Sequence, residues 1–106
     1  MAFLALASQK SLLNMQKSFK QLEQISLINQ INITEQQMAN IKAAYPEDYD
    51  NSYDYIMLEQ MDEEYGAQKD ALEDELNEIN QMIQSLTSSV KTEIQNSCKL
   101  NYAGGS

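Results

Sequence analysis

The densest group of chemically capable side chains is "YPEDYDNSYDYIMLE", residues 45–59. It holds the only proline, four of the six tyrosines and five carboxylates. Hard cations take oxygen ligands spaced along a twelve-residue loop. Laid on that template, Asp48, Asp50, Ser52, Asp54 and Glu59 fall at positions 1, 3, 5, 7 and 12. The template wants glycine at position 6, where the chain turns sharply. Tyr53 stands there instead. The same stretch also reads as a docking surface. Tyr45, Tyr49, Tyr53 and Tyr55 crowd one tip, and tyrosine offers large contact area with few rotors. The third reading is a solvated turn, its tyrosines covering the chain reversal.

Elsewhere the sequence offers little to catalysis. There is no histidine, so the usual triads and histidine metal sites have no base or ligand. Cys98 has no local base, and neither a P-loop nor a GxGxxG is present. Glu73, Asp74, Glu75 and Glu78 are spaced as on a solvated helix face, without an enclosed pocket. The expectation is a protein that is not an enzyme and takes no cofactor.

Something must position that acidic stretch, and composition says what. Three glycines and one proline in 106 residues leave little turn material. A β or α/β domain of this length needs many turns, so a few long helices are expected. The net charge is −9, and every basic residue is a lysine. Without a basic stripe to neutralise phosphates, nucleic acid is not an expected partner. No run reaches the roughly 18 apolar residues of a membrane span. "MAFLALASQ" lacks the basic flank of a cleaved signal peptide. The expected setting is cytoplasmic, or exported without a cleaved signal.

Between residues 8 and 44 there is no helix breaker. Leu12, Met15, Phe19, Leu22, Ile25, Ile28, Ile31, Met38 and Ile41 recur at near-helical steps. Pro46 disfavours the α conformation at Tyr45, which ends the helix near residue 44. A second row runs Leu58, Met61, Tyr65, Leu72, Leu76, Ile79, Ile83, Leu86 and Val90. The step from Leu72 to Leu76 reads there as a stutter. Ser52 or Asn51 is placed to cap the second helix.

These signals predict an all-α fold, a single long antiparallel helical hairpin of coiled-coil type. Helix 1 covers about 8–44, an acidic Tyr-rich turn 45–52, helix 2 about 53–98, and a flexible tail 99–106. Asn32-Ile33-Thr34 is the poorest helical stretch of the first arm. In a hairpin whose paired numbers sum to about 97 it falls opposite Gly66. A bend or break is expected there, with Thr34 and Gln37 restarting the helix as a capping box. In the same register Phe19 lies near Glu78. Phe3, Leu4, Leu6, Leu13, Leu27, Met57 and Met82 lie off the rows or at the tip of the first arm. They are the candidate interface for self-assembly.

The two ends carry a resemblance. "FLALASQKSLL" at residues 3–13 and "VKTEIQNSCKLNY" at residues 90–102 resemble the termini of short uncharacterised helical-hairpin proteins of gut-associated bacteria. The similarity covers about a third of the chain and implies fold more than function. In plan the chain also resembles type III secretion needle subunits, with a proline turn at mid-chain, although their turn motif is not matched. It lacks the Trp-x-Gly of another class of secreted hairpins.

Together these readings point to a bacterial self-assembling structural protein, an exported or envelope-associated filament or oligomer subunit whose partner is itself. The alternative is a cytosolic adaptor or chaperone that grips a basic protein through the acidic Tyr-rich tip. A calcium-binding loop protein is the minor alternative.

Overall fold

The computed structural model describes the backbone of residues 2–104 and the side chains of residues 4–96 and 98. Two helices account for nearly all of it. α1 spans Ala2–Ala44 and α2 spans Tyr53–Gly104, joined by a short 3-10 turn at Tyr49–Asn51. The fold is an all-α helical hairpin. Among the described residues there is no strand.

Both helices outrun the expected limits. α1 begins at Ala2 rather than near Ser8, and α2 continues to Gly104 rather than ending near Cys98. Alanine and leucine at the start of α1 are strong helix formers, and no breaker interrupts either end before Gly104. No break occurs at residues 32–34 or at Gly66, which are helical throughout. Thr34 does not restart the helix. Its hydroxyl donates back to the Gln30 carbonyl at 2.7 Å, one turn earlier, and the side chain is 3% exposed.

The chain divides into two compact units, each built from a piece of both helices. The end unit joins Met1–Phe19 to Glu75–Ser106, and the turn unit is Lys20–Asp74. In each unit the helices protect one another along a heptad row. On α1 the positions shielded from solvent between residues 10 and 41 are Lys10, Leu13, Lys17, Lys20, Gln24, Leu27, Ile31, Thr34, Met38 and Ile41. Their steps alternate three and four without exception. On α2 the shielded row runs Tyr55, Leu58, Asp62, Tyr65, Lys69, Leu72, Leu76, Ile79, Ile83, Leu86, Val90 and Glu93, with the same alternation. Met61, Gly66 and Asn80 flank it. There is no stutter at Leu72. Asp62, Lys69 and Glu93 fill the three positions of this row that apolar residues leave vacant.

The apolar row of α1 is only partly the inward one. Ile31, Met38 and Ile41 are inside, but Leu12, Met15, Phe19, Leu22 and Ile25 are 54–62% exposed. The reason is geometric. Successive residues advance about 100° around a helix, so each three-residue step falls about 60° short of a turn. Five of the six steps from Leu12 to Ile31 are threes. The row therefore winds round the helix, outward at Leu12 and inward by Ile31. Leu12, Phe19 and Leu22 do not hold the hairpin together, whereas Leu76 and Ile79 do, at 8% and 4% exposed.

Candidate functional site

The tip forms because α1 stops at Ala44 and Ser52 starts α2. Tyr45 N–H still donates to the Ile41 carbonyl at 2.9 Å. Pro46 then ends the helix, and Tyr49 N–H returns to the Tyr45 carbonyl at 2.8 Å. Ser52 is extended, and its hydroxyl oxygen accepts from Tyr55 N–H at 3.4 Å, the geometry of an N-cap. Asp54 follows in the first turn of α2, where the helix dipole favours negative charge.

Two of the four tip tyrosines are used by the turn itself. Tyr49 and Tyr55 meet edge-to-face with ring centroids 5.0 Å apart. The Lys42 ammonium lies 5.2 Å from the centre of the Tyr49 ring. Lys42 also closes the last turn of α1, where a cation meets the carbonyl end of the dipole. Tyr45 and Tyr53 point outward, at 64% and 74% exposed. The structure thus separates the tyrosines that sequence grouped together.

The calcium template is not assembled. Asp48 and Asp50 lie in the turn, while Asp54 and Glu59 are carried on α2. Tyr53 is helical and not left-handed, so the chain makes no sharp loop at position 6. Among the described residues no three carboxylates or thiols come together to hold a metal ion.

The second candidate site is apolar and lies in the end unit. Leu12, Leu13 and Gln16 of α1 face Glu78, Met82 and Leu86 of α2 across an open groove of about 780 Å³. Gln16 and Glu78 both line this groove. Of the predicted interface residues, Leu13 and Met82 line it. Leu4 is exposed and Leu6 half-buried in the same unit. The Phe3 side chain lies outside the described residues. In the turn unit Met57 lines a smaller groove with Ile41 and Met61. Leu27 is buried in the heptad row and does not belong to an outer face. Sequence reasoning missed the outward placement of Leu12, Met15 and Phe19. The signal was present in the uninterrupted heptad from Lys10 to Ile41, masked by its polar members.

No helix among the described residues is long and apolar enough to cross a membrane. Compared with family models, with curated proteins and with solved structures, the chain matches none.

Proposed function

We propose that this chain is a non-enzymatic structural protein that assembles with copies of itself, as an oligomer or filament subunit. One observation carries the reading. Helix α1 shields Lys10, Lys17, Lys20 and Gln24 along its inner row and leaves Leu12, Met15, Phe19, Leu22 and Ile25 outside. An apolar row of this length costs solubility unless something covers it. Light scattering behind a sizing column, over a wide concentration range, tests the proposal. Mass is expected to grow with concentration, and negative stain of the same samples separates a closed oligomer from a filament. A monomer at every concentration would sink it.

A second reading draws on the tip. The Tyr45 and Tyr53 side chains stand exposed among carboxylates. An adaptor of this kind would hold a basic protein there. Tyr45→Ala with Tyr53→Ala then loses that partner in a pull-down while leaving oligomeric mass unchanged. If the double variant keeps every partner, the tip is only a turn.

A further inference from the structure

The outer face of α1 in the end unit combines three features. The first is exposed apolar surface: Leu4, Leu12, Met15 and Phe19 are each more than half exposed. At about 100° per residue the four fall within roughly 80° of one another around the helix. Leu12 also forms the rim of the groove, so the row runs directly into it. Met82, 46% exposed, lines the α2 side of that groove.

The second feature is the absence of charge. Between residues 4 and 19 the charged residues are Lys10 and Lys17, and both sit on the shielded inner row. The outer face carries Ser8, Gln9, Ser11, Asn14, Gln16 and Ser18 around its apolar centre. Hydroxyls and carboxamides each both donate and accept. Laid against its own copy, a face of this kind sets no like charge against like and brings donors and acceptors to both sides. A charged partner would find nothing there to pair with.

The third feature is where the net charge lies. By sequence the turn unit has three lysines against thirteen acids, a net of −10. The end unit has four lysines against three glutamates, a net of +1. Two copies that meet through turn units set −10 against −10, whereas end units meet without repulsion. The five exposed apolar side chains offer on the order of 500 Å², about the apolar share of an 800 Å² half-interface in a homodimer.

We propose that the end unit is the self-docking site, with the outer face of α1 packed on its counterpart in a second copy about a two-fold axis. Leu12, Met15 and Phe19 lie at the centre of the contact, and Met82 closes its side. Two-fold pairing is the symmetry that uses one patch twice. The proposal rests on the self-assembly reading above and adds where the copies meet.

Three variants of the full chain test it by light scattering, with helicity checked by circular dichroism. Leu12→Glu with Phe19→Glu places charge at the centre of the contact without touching the inner row. Ser8→Glu with Gln16→Glu replaces only exposed polar residues, so it keeps the test valid should the first variant fold poorly. Leu22→Glu with Ile25→Glu makes the same change in the turn unit. The first two are expected to raise the dimer dissociation constant at least about tenfold, the third to change it about threefold or less. Self-association that survives both end-unit variants overturns this docking site and leaves the assembly reading standing. A wild-type chain that never associates overturns both.

Discussion

Asp62 sits on the inner row of α2 with its Oδ1 atom shut from solvent and without a hydrogen-bond partner. An unsatisfied polar atom at a helical interface costs about 1–3 kcal/mol, and leucine at a heptad position costs nothing comparable. Asp62→Leu is therefore expected to stabilise the hairpin by about 1 kcal/mol, seen as a higher urea midpoint at unchanged slope. A lowered midpoint would show that Asp62 fixes the pairing of the helices, as single polar residues do in some coiled coils. Gly66 is a second small deficit. It is helical, its φ is not left-handed, and a Cβ placed there meets nothing within 4 Å. Gly66→Ala should add about 0.5–1 kcal/mol by restricting the unfolded chain and restoring helix propensity. Thermal unfolding of the dilute protein reads the gain directly.

At the scale of the helices the two rows make opposite predictions for residues of the same type. Ile79 is the least exposed apolar residue among those described, at 4%. Truncation to alanine removes packing and leaves a void, so Ile79→Ala should cost about 2–4 kcal/mol. Leu22 is 62% exposed on the outer side of α1. Leu22→Ala should change the unfolding of the dilute chain by no more than about 0.5 kcal/mol. Denaturant titration of the two variants side by side decides which row holds the hairpin. Equal costs would mean that the α1 row packs inward after all. This contrast also marks what the sequence could tell. The turn was legible because Pro46 and Ser52 act locally, through a lost N–H and a capping hydroxyl. The α2 row was legible because leucine and isoleucine dominate its second half. On α1 hydrophobicity and position disagree. Lys10, Lys17, Lys20 and Gln24 lie inward, where long stems cover apolar surface while their ends reach water. A pattern search follows the greasy residues and so traced the wrong face. The pairing of Tyr49 with Tyr55, and not with Tyr53, depended on the 3-10 turn that rotates them together.

For the molecule as a whole, charge distribution decides how assembly responds to salt. The net charge lies almost wholly in the turn unit, and its effect on assembly is repulsive. Like charge at −10 per unit keeps turn units of neighbouring copies apart, and salt weakens that repulsion. End units at +1 have almost no repulsion for salt to remove. If the copies meet through the outer face of α1 in the end unit, the association constant should change by less than about threefold between about 0.05 M and about 0.5 M sodium chloride. Contact along the turn units predicts instead an increase of tenfold or more over the same range, because screening shortens the reach of the repulsion from about 14 Å to about 4 Å. Sedimentation equilibrium at the two salt concentrations separates these cases without any substitution. A steep rise with salt would move the interface to the acidic half of the chain, and the uncharged face of Leu12, Met15 and Phe19 would then need a different occupant.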